Sequence, residues 1–218
     1  MELKGKKIAF LGDSITQGCG ASDPSNFYWN LVASATGATS FGYGIGGTRI
    51  APQIVPSADP ICDRYFASRI DEMIPDADII VVFGGTNDFG HGDAPFGNLN
   101  DRGEETFCGA FHSLLEKLIV RYPYAQLVVM TPLHRDGEED LSHGDTGAPR
   151  QAKLEKYVDA IIAISGYYGV AVLDLFRTGG MQPSVPIVKQ IYMPDGLHPN
   201  DAGHRKMADR LIGFLTAL

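Results

Sequence analysis

Ser14 lies in Gly12-Asp13-Ser14-Ile15-Thr16, directly after a short apolar run and before a segment able to turn helical. At a helix N-terminus, free backbone N–H groups and the positive end of the dipole stabilise a developing negative charge. Taken alone, a plain N-cap serine explains the residue as well. Far along the chain stands Asp195-Gly196-Leu197-His198-Pro199-Asn200. An Asp three residues before a His, across a glycine, can fold so that its carboxylate accepts from one imidazole nitrogen while the other nitrogen faces outward. That is the base-plus-orienter half of a hydrolytic triad; the bland alternative is a turn in which His198 only caps a helix. Gly84-Gly85-Thr86-Asn87-Asp88 offers an amide able to donate to an oxyanion, although Asn-Asp is also an ordinary turn pair. Gly44-Ile45-Gly46-Gly47-Thr48 reads by itself as a turn. It lacks the Lys of a phosphate loop, and Gly12-Asp13-Ser14 supplies no dinucleotide fingerprint.

These segments need elements to hold them. Lys6–Leu11, Ile79–Phe83, Leu127–Met130 and Val170–Leu173 read as buried strands, with Thr39–Tyr43 a weaker fifth. Helical patterns fall at Tyr28–Ala35, Ala67–Ile74, Glu104–Arg121, Gln151–Tyr168 and Asp201–Ala217. Strands alternating with helices imply βαβ crossovers and a mostly parallel sheet covered on both faces. Sites in such sheets form at the carboxyl ends of the strands, where the glycine clusters fall. Two polar stretches, Arg49–Tyr65 and His134–Pro149, read as excursions that rim the site.

The chain has 218 residues, a length that suits a single domain over 1–218. Its net charge of -8 argues against a nucleic-acid binder, which needs a basic stripe, and against docking on anionic lipid. No apolar stretch is long enough to span a membrane, so no membrane insertion is expected. No leader is visible before Gly12, and Cys19, Cys62 and Cys108 show no CxxC spacing. A reducing, cytoplasmic location is the expectation. The 26 glycines follow no period and gather after the apolar runs, as tight turns would require.

Taken together, the four motifs resemble the SGNH family, also called GDSL-type esterases and lipases, over nearly the whole chain. Gly12-Asp13-Ser14 is similar to its first block, Gly44 to Gly47 to its second, Gly85-Thr86-Asn87-Asp88 to its third and Asp195-Gly196-Leu197-His198-Pro199 to its fifth. The resemblance implies a three-layer α/β/α fold with a flavodoxin-like, mostly parallel sheet of about five strands. It implies Ser14 as nucleophile, His198 as general base and Asp195 as its orienting partner. It also implies an oxyanion hole of the Ser14 N–H, the Gly47 N–H and the Asn87 amide. Two positions depart from the pattern: Gly42 stands where the second block often carries an Asn, and Ile15 where the first block has Leu.

The expected reaction is hydrolysis of a carboxylic ester through an acyl-serine, with no cofactor and no metal. A short acyl group is favoured, such as an O-acetyl on a carbohydrate, because the acidic stretch Asp136–Asp145 offers little apolar surface for a long chain. A lipid acylhydrolase, lysophospholipase or thioesterase of the same family is the alternative. Asp13, Phe89, His91, Tyr192 and Met193 adjoin the motifs and are candidates to line a pocket, with core filling as the plain alternative. A metal-dependent hydrolase is a poorer reading, since the six histidines form no HxH or HExxH pair. A noncatalytic flavodoxin-like binding module would leave the Asp195 and His198 pair without a use.

Overall fold

The computed structural model describes residues 1–145 and 149–218; Thr146, Gly147 and Ala148, inside the 134–149 stretch singled out above, lie outside the described residues. In chain order the elements are β1 (Lys7–Gly12), α1 (Ser14–Gln17), α2 (Tyr28–Thr36), β2 (Thr39–Gly44), β3 (Ile79–Phe83), α3 (Thr86–His91), α4 (Phe107–Arg121), β4 (Gln126–Met130), α5 (Leu154–Tyr167), β5 (Ala171–Leu173), α6 (Leu175–Thr178), α7 (Pro186–Tyr192) and α8 (Asp201–Ala217).

The strands form a five-stranded sheet in the order β2-β1-β3-β4-β5. All four pairings are parallel, running from Lys7 opposite Thr39 to Gly12 opposite Gly44, and from Ile8 opposite Ile79 to Gly12 opposite Phe83. Because side chains alternate across a strand, β1 serves two cores. Ile8 and Phe10 pack with Tyr28, Leu31 and Val32 of α2 and Met207 and Leu211 of α8. Ala9 and Leu11 face the opposite core with Phe111 and Leu115 of α4 and Val158 and Ile161 of α5. The result is the three-layer α/β/α arrangement with flavodoxin-like strand order. In that order the sheet reverses direction of growth between β1 and β3, and the crevice at a reversal point is where ligands bind.

The helices differ from the sequence pattern at identifiable places. The expected helix over Ala67–Ile74 is instead a 3-10 helix over Phe66–Glu72. Three residues per turn stack positions three apart, which puts Phe66 and Arg69 together on the buried side, with the guanidinium 5.1 Å from the ring centroid. Helix α4 begins at Phe107 rather than Glu104, because the Thr106 hydroxyl accepts the Gly109 N–H as its cap. Glu104 is drawn away to accept from Tyr65, Ser113 and Lys117. Likewise α5 begins at Leu154, since the Gln151 amide is occupied with Phe96 N–H and Ala94 carbonyl. Two short helices, α6 and α7, intervene between β5 and the Asp195 segment, which therefore does not directly follow the last strand. Among the described residues, no helix is long and apolar enough to cross a membrane.

Candidate active site

Ser14 opens α1 at the end of β1, while Asn87 lies in the first turn of α3 at the end of β3. The two residues thus come from the strands that flank the reversal point. Asp13 caps α1, its carboxylate accepting the Ile15 N–H at 3.0 Å. With the cap supplied by Asp13, the Ser14 hydroxyl is free for other work. It lies 3.1 Å from His198 Nε2.

His198 reaches Ser14 from the other end of the chain. Its Nδ1 is 2.7 Å from Asp195 Oδ2. The other Asp195 oxygen accepts the backbone N–H groups of Leu197 (2.8 Å) and His198 (2.7 Å), a turn made by the carboxylate itself. Pro199 ends this turn and the Asn200 side chain caps α8 by accepting the Gly203 N–H, so the imidazole projects from the helix start. Burial raises the Asp195 pKa, but the N–H groups of His198 and Leu197, then the imidazole, outweigh it and hold the carboxyl below its usual range. Asp195 is therefore an anion wherever the protein is folded near neutrality.

The loop after β2 closes on the same point. A Cβ built on Gly46 would lie 3.7 Å from Ser14 Cβ. Gly47 has φ +73°, and a Cβ there would come within 2.8 Å of the Cys62 sulfur; glycine meets both demands. Among the described residues no acceptor meets the Gly47 N–H. The Asn87 amide donates to the Thr48 carbonyl at 2.9 Å. An amide nitrogen carries two hydrogens, so one fixes the side chain against this loop and one remains.

Gly42 cannot supply the bracing that an Asn would give, and a Cβ there would meet the Trp29 ring at 2.5 Å. The brace comes from elsewhere. Gln17 Oε1 accepts the Gly46 N–H at 2.7 Å. Arg69 donates to the Tyr43 and Gly12 carbonyls and the Thr48 hydroxyl, tying the ends of β1 and β2 together. Arg49, 2% exposed, donates to the Gly47 and Cys62 carbonyls, to His91 Nδ1 and to Asp63. Asp88 accepts the Ile50 and Ala51 N–H groups and so joins the third block to the second. None of Gln17, Arg49 or Arg69 stands out in the sequence, because each acts on a partner far away or on a backbone carbonyl.

The sequence profile of the GDSL-like Lipase/Acylhydrolase family matches residues 10–206. The chain belongs to this family. A comparison with curated proteins returned no match. Among solved structures, a protein from Lactobacillus plantarum is 33% identical, with a TM-score of 0.83 over 98% of each chain. A possible lipase from Chitinophaga pinensis is 22% identical, with a TM-score of 0.70 over 97% of this chain and 98% of that one. A member of the lipolytic protein G-D-S-L family from Veillonella parvula is 17% identical, with a TM-score of 0.67 over 98% and 100%. The last two share the fold.

In this GDSL-like lipase/acylhydrolase family member the pocket candidates separate. Asp13 is 1% exposed and its carboxylate is engaged by the Ile15 N–H, so it offers no surface to a substrate. Phe89 is a core residue set edge-on to Tyr157, with Arg150 over its ring. Tyr192 ends α7, and its ring lies under the Lys206 ammonium at 4.4 Å; Met193 is buried in the α2/α8 core. His91 alone of these combines partial exposure with a place in the wall of a cavity of about 560 Å³, which Phe89 also backs. The cavity is formed by residues from 53–58, 89–93 and 149–151. The acidic stretch does border the site. Asp136 N–H donates to the Gly196 carbonyl and its carboxylate pairs with Lys189, while Asp145 N–H donates to the Gly90 carbonyl.

Burial pushes the Asp13 carboxyl up to about 6, against the pull of the Ile15 N–H and of His198. The unfolded group titrates near about 3.9. Between these values the folded chain holds the proton more tightly, so this group makes stability fall as pH rises from about 4 to about 6. Asp13→Asn keeps a capping oxygen and removes the titration. Its stability relative to wild type should therefore improve between pH 4 and pH 7 in denaturant melts. An unchanged difference at the two pH values would contradict this.

Proposed function

We propose that the chain is a serine esterase that hydrolyses a carboxylic ester through an acyl-serine intermediate. The observation that carries this reading is the continuous chain Ser14 Oγ, His198 Nε2, His198 Nδ1 and Asp195 Oδ2, at 3.1 Å and 2.7 Å. The bond to the anionic carboxylate keeps a proton on Nδ1 and leaves Nε2 with its lone pair toward the serine. His198 then takes the Ser14 proton as the hydroxyl attacks the ester carbonyl. The tetrahedral oxyanion is held by the Ser14 N–H, the Gly47 N–H and the free hydrogen of the Asn87 amide. His198 returns the proton to the leaving alcohol, and water activated by the same imidazole frees the acid. No step requires a cofactor.

If Asn87 has this role, Asn87→Ala should lower kcat by about 10² to 10³, the usual cost of one oxyanion donor, with KM little changed. Loss of KM alone would remove Asn87 from the oxyanion hole. The substrate we favour carries a short acyl group, such as an O-acetyl on a carbohydrate, because the rim over Asp136–Asp145 is charged and paired. The second reading, a lipid acylhydrolase, draws on Ile54, Val55 and Ile61 in the 49–65 excursion and Ile187 and Ile191 on α7, all exposed. Rates on acetate, butyrate and octanoate esters and on an acetylated sugar decide between them: acetate and the sugar ester should lead, and a preference for octanoate would favour the lipid.

A further inference from the structure

The cavity beside the third block contains neither Ser14 nor His198 in its wall. Its wall includes Phe89, Gly90 and His91 of α3, the helix that carries Asn87, so the cavity adjoins the site without containing the reacting pair. Its size, about 560 Å³, is within the about 300–1,000 Å³ of ordinary small-molecule sites. It is joined to the oxyanion loop through one side chain, since Arg49 donates both to the Gly47 carbonyl and to His91 in the cavity wall.

The polar groups of this wall define a chemistry. Arg has no acceptor, so the 2.9 Å contact with Arg49 makes His91 Nδ1 the acceptor and places the ring hydrogen on Nε2. No acceptor among the described residues meets that Nε2–H. Burial, and then Arg49, lower the His91 pKa, which keeps the ring neutral. Gln53 Oε1 is a buried acceptor without a partner among the described residues. Among the described residues the charged groups of the wall have partners, although Arg150 shares Asp145 with Arg135 and its Nε has none. Arg150 donates to Asp145 and to the Gly137 and Asp140 carbonyls, and the two Asp93 oxygens accept the Ile54 and Val55 N–H groups at 2.7 Å each. An anionic ligand would have to share Arg150 with Asp145 and would face the Asp93 carboxylate in the same wall. An alkyl chain would leave a donor and an acceptor dry and unpaired, which is unfavourable.

We propose that this cavity binds a neutral, hydroxyl-rich moiety of the substrate, such as a sugar ring, with Gln53 Oε1 accepting from one hydroxyl and His91 Nε2–H donating to another. The proposal rests on the esterase reading above and adds a specificity subsite to it. Gln53 is the cleaner probe, because His91 also holds Arg49. Gln53→Leu keeps the bulk and removes the acceptor.

The experiment compares kcat/KM for 6-O-acetylglucose and for p-nitrophenyl acetate, in wild type and in Gln53→Leu, with thermal melts as the check on folding. The ratio of the sugar ester to the aryl ester should fall about fivefold or more in the variant, carried mainly by KM. An unchanged ratio in a folded variant would overturn the subsite. So would a wild type that hydrolyses the aryl ester but not the sugar ester. Activity on neither ester in wild type would instead overturn the esterase reading, and the subsite with it. If the variant fails to fold, Gln53→Ala serves in its place: it also removes the acceptor, so the ratio should fall by a similar factor, and an unchanged ratio in that folded variant would overturn the role of Oε1.

Discussion

Ser14→Ala is expected to lower kcat/KM on p-nitrophenyl acetate by on the order of 10⁴ to 10⁶, the scale on which loss of a nucleophile acts in serine hydrolases. The size follows from what the substitution removes. The Ser14 Oγ is the atom 3.1 Å from His198 Nε2, and no other hydroxyl bonds to that nitrogen among the described residues. The fold should not notice the change. Asp13, not Ser14, caps α1, and an alanine in the first helical turn is well tolerated. A melt within about 1 kcal/mol of wild type is therefore expected. Activity retained at the wild-type level would remove Ser14 from the chemistry, whatever the rest of the site does.

Asp195→Asn is expected to have the second largest effect, about 10² to 10⁴ in kcat. One Asp195 oxygen accepts two backbone N–H groups, which holds it in place. An asparagine would keep its oxygen there and turn its NH₂ toward His198 Nδ1. That NH₂ donates, so Nδ1 must become the acceptor and the ring proton moves to Nε2. An imidazole in that tautomer cannot take the proton of Ser14. The lower part of the range reflects exposure: the Asp195 side chain is 54% exposed, so water can offer Nδ1 another acceptor. Steady-state kcat with a melting curve checks the prediction. A loss below tenfold would mean that Asp195 does not set the tautomer.

The parts of this site that can be read from sequence are those whose cause is local. Asp195 and His198 sit three residues apart and build their own turn, and Asp13 and Ser14 adjoin at a strand end. β3 is legible as Ile79–Phe83 because a strand buried on both faces is a continuous β-branched run, and α8 because Asn200 caps an amphipathic segment. What fails to show is long-range. Arg69 looks like a surface residue of a helix, yet it is buried and holds two carbonyls and a hydroxyl from three separate segments. Gln17 replaces the brace that Gly42 cannot give, through a contact 29 residues away. α7 is short and carries exposed Ile187 and Ile191, so it has no clear apolar stripe to read. Tyr192 and Asp13 lie beside or within motifs along the chain, and position along the chain does not say which way a side chain faces.

The central claim is that Ser14 becomes acylated. Incubation with a fluorophosphonate, which reacts with activated serines, followed by mass spectrometry of the digested protein, tests it most directly. Near-stoichiometric label on the peptide carrying Ser14, absent in Ser14→Ala and formed much more slowly in Asp195→Asn, is the predicted result. Label on a different residue, or none on folded wild type, would contradict it.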